Sequence, residues 1–259
     1  MAGFLFHDII FGPVKSRRLG VSLGINPLPV DRKLCTFNCI YCECGWTDGY
    51  QTDQGELPQR KTIREFLERK LAELKESDIV PDSLTFAGNG EPSIHPDFDG
   101  IIDDTIALRD KYFPKAAVTV LSNATTLDKE AVRKSLAKVD QNILKLDAST
   151  EKTFKKINQP LTNTSLREVV RNLVNFKGNL IIQSLFVRGQ VGNFYVDNTT
   201  ETELQAWLKY ISEIKPQYVM IYPVDRATPA ETLEKVSREE LEEIAERVNE
   251  LGIPTRVYD

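Results

Sequence analysis

No run of about 18 apolar residues occurs in the chain, so nothing in it reads as a membrane span. The first eight residues, Met1 to Asp8, lack a basic stretch followed by a clean apolar one, so no secretory leader is expected and the cytoplasm is. Positive charge is not in excess. Lysine and arginine number 33 against 38 acidic residues, a net charge of -5, which argues against a broad surface tracking nucleic-acid phosphates. Only two histidines occur, His7 and His95, far apart, and neither is read as a metal ligand. There is no glycine-rich phosphate loop after the first strand, which weakens a dinucleotide-binding open sheet. Short repeats and low-complexity segments are absent. Cysteine is scarce too, yet all four lie between positions 35 and 44. In a reducing compartment such a cluster points to metal or redox chemistry rather than to disulfides.

What is present suits a sizeable core: 259 residues, 41% hydrophobic and 27% charged. Residues 4–13 are apolar and aromatic, an arm or a strand broken at Gly12-Pro13, and Lys15-Ser16-Arg17-Arg18 reads as a solvated basic turn. Leu19, Val21, Leu23 and Ile25 alternate as in a strand. Residues 45–58 read as loop. Helix is expected over 62–75, with Thr62 and Glu65 as a capping box and Ile63, Phe66, Leu67, Leu71 and Leu74 as its apolar face. Strand and helix then alternate: strands over 83–87, 116–121, 142–146, 179–187, 217–222 and 254–258, helices over 97–112, 128–137, 201–214 and 237–251. A helical region over 151–176 is broken near Pro160, its second part capped by Asn163 or Thr164. Ser237 with Glu240 reads as a further capping box. This alternation predicts a parallel sheet with helical crossovers, whose chemistry sits at the C-terminal ends of the strands.

The chemistry-bearing residues fall at those ends. Cys35, Cys39 and Cys42 have the spacing C-x3-C-x2-C, and thiolates bind soft metals and iron–sulfur clusters. Three ligands on one loop can hold three irons of a cubane and leave the fourth open. The competing readings are a zinc site with Cys44 as fourth thiolate, which lacks the usual second C-x2-C pair, and a four-thiolate electron carrier. Gly88-Asn89-Gly90-Glu91-Pro92 follows a strand. Its glycines let a backbone approach a ligand, and its carboxylate suits an ammonium group. Asn123, Asp147, Ser184 and Arg188 lie at or near strand ends; singly each reads as a loop cap, and Ser184 as a buried hydroxyl, whereas together they would line one pocket. Lys145 shares a face with Asp147, and Tyr41 would pack on an adenine or shield a cluster.

These residues carry a resemblance. Cys35-x3-Cys39-x-Tyr41-Cys42 resembles the signature of radical S-adenosylmethionine (SAM) enzymes, and Gly88 to Pro92 is similar to their glycine–glycine–glutamate motif, with Asn89 standing where adjacent glycines are usual. Phe11 to Gly20, Ser122-Asn123-Ala124, Leu146-Asp147-Ala148, Ile157 to Leu161 and Tyr222 to Arg226 resemble the branch related to tRNA wyosine-base (4-demethylwyosine) synthases. The resemblance implies a single domain, residues 1–259, forming a partial (β/α)6 TIM-like barrel with residues 1–26 as N-terminal arm and first strand. It implies one 4Fe–4S cluster on Cys35, Cys39 and Cys42, and SAM held through Gly88, Gly90, Glu91 and, at the rim, Tyr41, Asn123, Asp147, Ser184 and Arg188. It implies reductive cleavage of SAM to a 5′-deoxyadenosyl radical that takes hydrogen from a substrate, which would be a small molecule, a peptide or a tRNA. An electron donor such as flavodoxin or ferredoxin is the implied partner. The wyosine enzymes carry further cysteines upstream for a second cluster. No cysteine precedes Cys35 here, so one cluster is expected, with Cys44 as an exposed bystander. The alternatives are a wyosine-type tRNA-modifying enzyme and a non-catalytic zinc- or iron–sulfur-binding protein.

Overall fold

The computed structural model describes residues 3–47 and 56–259. Residues 48–55 of the expected 45–58 loop therefore lie outside the described residues. A hairpin comes first: β1 (Ile10–Ser16) runs antiparallel to β2 (Gly20–Ile25). Then follow α1 (Arg60–Glu76), β3 (Ser83–Phe86), a 3₁₀ turn at Pro92–Ile94, α2 (Phe98–Tyr112), β4 (Ala117–Ser122), α3 (Glu130–Leu136) and β5 (Gln141–Lys145). The second half holds α4 (Glu151–Ile157), α5 (Leu166–Val174), β6 (Ile181–Val191), β7 (Phe194–Asp197), α6 (Glu201–Ile214), β8 (Val219–Pro223), β9 (Leu233–Lys235), α7 (Arg238–Asn249) and β10 (Thr255–Val257).

The sheet order is β1-β2-β3-β4-β5-β6-β8-β10, and every pairing from β2 to β10 along it is parallel. The six strands β2, β3, β4, β5, β6 and β8 with their helical crossovers form the expected partial barrel, and β10 extends its far edge. The first and last strands do not pair, so the barrel is open on one side.

Strand alternation sorts the side chains. Leu23, Ile25, Leu84, Phe86, Val118, Val120, Leu144, Ile182 and Ile221 face the helices and form the main core with Ile63, Leu67, Ile101 and Trp207. The opposite, inner face is polar near β2 to β4. Ser22 bonds to Thr85 (2.7 Å), and Ser83 to Thr119 (2.7 Å).

Local chemistry explains the element ends. α1 buries Ile63, Leu67, Leu71 and Leu74, the stripe its period demands. Phe66 is 37% exposed and carries Arg69 over its ring instead. α1 also starts two residues early, after Gln59, with no side-chain cap, so the Thr62–Glu65 box does not form. α5 is capped by Ser165 with Glu168, one residue beyond the expected Thr164. The Ser237–Glu240 box of α7 forms as expected. β6 was expected to end near 187, but it continues to Val191, and its upper half pairs antiparallel with β7 and β9 above the rim. No described helix is long and apolar enough to cross a membrane.

Candidate active site

β2 delivers the chain beyond the C-terminal rim of the sheet, and the cysteine loop follows. Backbone hydrogen bonds hold this loop on two sides. On one side the Leu34 N–H donates to the Asn89 carbonyl (2.8 Å) and the Glu91 N–H to the Leu34 carbonyl (3.1 Å). Gly90 sits at φ +141°, and a Cβ there would lie 1.7 Å from the Leu34 oxygen, so this approach requires glycine. On the other side residues 36–40 run beside 157–161. The Asn38 N–H donates to Asn158 O (3.0 Å), Ile40 N–H to Ile157 O (3.0 Å), and Leu161 N–H to Thr36 O (2.9 Å).

Two of the thiols, Cys35 and Cys39, are buried, and Cys42 and Cys44 are half-buried, so Cys44 is not the exposed residue expected but packs beside Cys42. Burial pushes the Cys35 thiol up to about 12 and raises Cys39 as well. Cys42 moves the other way, to about 5, because the Cys44 thiol hydrogen-bonds to it and the Lys33 ammonium lies beside it. The Cys44 thiol rises in consequence. Lys33 is buried, donates to the Gly45 carbonyl (2.8 Å) and faces Cys35, Cys39 and Cys42. Burial pulls its pKa down, but the three sulfurs outweigh that and the net shift is upward. N–H donors also point at sulfur: Phe37 N and Asn123 Nδ2 at Cys35, and Asn158 Nδ2 at Cys39, each at 3.5 Å.

This donor set fits an anionic iron–sulfur cluster. It offers three soft sulfurs on one loop, N–H donors to two of them, and a buried ammonium to offset their charge. Among the described residues no three or more His, Cys, Asp or Glu side chains form a group that could hold a single metal ion. For SAM the fit lies in the Gly88–Glu91 turn. Beside Gly88, the buried Nδ2 of Asn26 has no partner, while its Oδ1 accepts from Leu28 and Asn89.

Glu91 is fully engaged. Its carboxylate accepts from the Ser93 N–H (3.2 Å) and hydroxyl (2.5 Å) and from the Asn123 N–H (2.5 Å), while burial pushes its pKa up. Asn89 turns away from the thiols. Its side chain accepts from Phe6 N (2.9 Å) and donates to Phe6 O (2.8 Å) and Pro29 O (2.9 Å), so it fastens the N-terminal arm. That contact accounts for an asparagine where a glycine is usual.

Asp147 is the second hub. One of its oxygens accepts from the Leu185 N–H (2.9 Å). The other takes the Tyr41 hydroxyl, Asn158 Nδ2 (2.9 Å) and the Lys145 ammonium (3.3 Å). Lys145 also donates to the Tyr41 hydroxyl (2.7 Å). Tyr41 is thereby fixed between two cysteines, and its phenol is raised well above its usual value by burial and by Asp147.

The structure thus brings Cys35, Gly88, Gly90, Glu91 and Asn123 together on one side of the loop, and Cys39, Tyr41 and Asp147 on the other. It does not bring in Ser184 or Arg188. Ser184 donates to the Leu146 carbonyl and accepts from Trp207 of α6 (3.1 Å), and Arg188 pairs with Glu240 of α7. Both lie on the helix-facing side of β6, and the inner positions are Gln183, Leu185 and Val187, one residue out of step. His95 is also outside the site. Its Nδ1 accepts from Asp97 N–H (3.0 Å) and its Nε2 donates to Pro58 O (2.9 Å). Lys33, Asn26 and Asn158 were not singled out by sequence reasoning. Their types carry no signal; only the position of Asn158 within the Ile157–Leu161 stretch did.

A cavity of about 960 Å³ lies away from the thiols, between residues 7–12, residues 29–32 and α1. It touches no cysteine and no residue of the Gly88–Glu91 turn. A much narrower void lined by Phe37, Asn123, Lys145, Asp147 and Asn158 adjoins the cysteine loop.

Fold, thiol loop and glycine turn together define a class, and residues 33–191 match the family described as the Radical SAM superfamily. The chain belongs to that superfamily. A narrower kinship is with UPF0026 proteins: one of Synechocystis is 30% identical over 225 residues, 85% of this chain and 77% of that protein. Another, of Methanocaldococcus jannaschii, is 29% identical over 212 residues, 80% of this chain and 61% of that protein. A protein of Brachyspira hyodysenteriae named GTPase Obg is 32% identical over 90% of this chain, which spans only 32% of it. Among solved structures, a radical SAM methyltransferase from Sphaerobacter thermophilus superposes with a TM-score of 0.66 at 12% identity, covering 92% of this chain and 65% of that one. Archaeal TYW1 gives 0.55 at 12%, covering 88% and 71%. At such identities the likeness is one of fold.

Proposed function

We propose that this protein is a radical SAM enzyme with one 4Fe–4S cluster on Cys35, Cys39 and Cys42. The observation that carries this reading is the thiol loop pinned by backbone to the Gly88–Glu91 turn at the rim of a partial parallel barrel. The cluster, when bound, would supply one electron to cleave SAM to methionine and a 5′-deoxyadenosyl radical.

The chain's own residues have distinct tasks in this scheme. Lys33 offsets the charge of the thiolates. Asn123, Asn158 and the Phe37 amide stabilise charge on sulfur. Gly88 and Gly90 would hold the SAM amino group through their backbone, because the Glu91 carboxylate is occupied by Ser93 and Asn123. Asp147 positions Tyr41 and Lys145 rather than touching SAM itself. An external electron donor such as flavodoxin or ferredoxin completes the scheme.

Anaerobic reconstitution followed by chemical reduction with SAM is expected to yield 5′-deoxyadenosine. Cys35→Ala, Cys39→Ala and Cys42→Ala should each lose the cluster, with iron content falling at least severalfold, whereas Cys44→Ala should retain it. Loss of iron in Cys44→Ala would overturn the three-ligand assignment. The wyosine-type tRNA reading is tested separately by modified-nucleoside profiling of a deletion strain.

A further inference from the structure

The Lys15–Arg18 stretch, which reads in the sequence as a solvated basic turn, is not free in solvent. It forms the tip of the β1–β2 hairpin and crosses the open side of the barrel. Arg17 pairs with Asp225, just after β8 (2.9 Å). Arg18 goes further in. Its Nη1 donates to the Gln183 side chain on β6 (2.9 Å), and its guanidinium lies 4.5 Å from the centre of the Tyr222 ring on β8. Gln183 and Tyr222 point to the inner face of the sheet, opposite to Ser184 and Ile221, and Gln183 is register partner to Lys145. Tyr222 and Tyr41 pack against the same apolar cluster around Ile40, Leu185 and Val187. A run of inner-face side chains therefore leads from the cysteine loop through Tyr41, Lys145, Gln183 and Tyr222 to Arg18.

The charges along that run do not balance. Lys145 has Asp147 as counter-ion. Arg18 has a neutral amide and an aromatic ring, and among the described residues no carboxylate pairs with it. Its neighbour Arg17 does find one. A half-buried guanidinium left without an anion is costly, and its planar fork matches a carboxylate or phosphate in bidentate fashion. We propose that Arg18 is the specificity-determining contact for an oxyanion of the substrate, a carboxylate or a phosphate, presented to the barrel interior through its open side, with Tyr222 as the stacking wall. The substrate is thus an anionic molecule. This rests on the reading of the interior as the substrate side of a radical SAM site.

The test uses full-length protein purified anaerobically with its iron, without SAM or reductant. Inorganic phosphate and acetate are titrated calorimetrically against chloride at matched ionic strength. One of the two should bind the wild type and Arg17→Gln alike, and which one identifies the anion. Arg18→Gln should weaken that binding tenfold or more. Gln183→Glu, which places a carboxylate on the guanidinium without emptying the site, should do the same by competition while leaving the fold intact. Absence of binding of either anion to the wild type, or equal binding in all four proteins, would overturn the proposal. Since no SAM is present, a protein that binds the anion at Arg18 yet never forms 5′-deoxyadenosine sinks the preceding reading and keeps the anion site, but no longer as a contact to a radical SAM substrate. SAM cleavage without an anion site sinks this one alone.

Discussion

Asn158 ties the cysteine loop to the Asp147 hub, donating to Cys39 Sγ and to Asp147. An N–H donor on a ligating sulfur stabilises the more negative, reduced state of a cluster. Asn158→Leu should therefore shift the cluster to a more negative potential, by roughly tens of millivolts within the volt-wide range over which such clusters are tuned. A redox titration followed by electron paramagnetic resonance reads the shift, and an unchanged potential would remove Asn158 from this role. That the cysteines share one loop was legible from spacing alone. Asn158 was not, because its partner Cys39 is 119 positions away and an asparagine after a helix is an ordinary cap. Lys33 was unreadable for a related reason: a lysine is buried only where its surroundings supply negative charge, and the sulfurs that do so close around it only on folding. Ser184 and Arg188 show the opposite error, a correct strand with the wrong parity. Being near a strand end does not say which face a residue takes, and β6 does not end where its hydrophobic run suggests.

At the scale of elements, the alternation of strands and helices was readable because each crossover needs an apolar stripe and each parallel strand an apolar run. The β7 and β9 additions escaped it. They are short, they pair with β6 above the rim, and their sequences carry little period. The junction that matters most is the contact between the cysteine loop and the Gly88–Glu91 turn. Gly90→Ala would drive a methyl into the Leu34 carbonyl while holding alanine at φ +141°, so the two segments must separate. The expected cost is roughly 2–4 kcal/mol, combining backbone strain and loss of the bridging hydrogen bonds, together with loss of iron. Urea denaturation and iron analysis check both. A variant within about 0.5 kcal/mol of wild type, the range of a neutral surface change, would show that the turn is not the tie point.

For the molecule as a whole, acid should loosen the fold in two stages. Burial of His95 lowers its pKa below the usual value. The folded state thus disfavours the charged ring, and stability that is full above about pH 6.5 declines as pH falls beneath it. Asp104 is held low by its hydrogen bond with Arg60 and by Arg64, across α1 and α2. Its contribution is complete above about pH 4 and is lost as pH falls through its folded value. Urea midpoints measured from pH 8 to 3 on iron-free protein should decline in both windows. His95→Gln should flatten the first and Asp104→Asn the second. A midpoint constant between pH 6.5 and 5 in the wild type would contradict the first assignment. Neither effect was visible in the sequence, where one of two histidines and one of many aspartates give no hint of their neighbours.

The thiol loop is sutured on one flank by residues 157–161, which the ribosome makes more than a hundred residues after Cys42. A nascent chain halted before that point has every sulfur and only half of the frame that spaces them. If the loop holds the proposed cluster, metal delivery is a late event in the life of this polypeptide, ordered by the direction of synthesis. Iron that arrives early meets loose thiols with no geometry to select it.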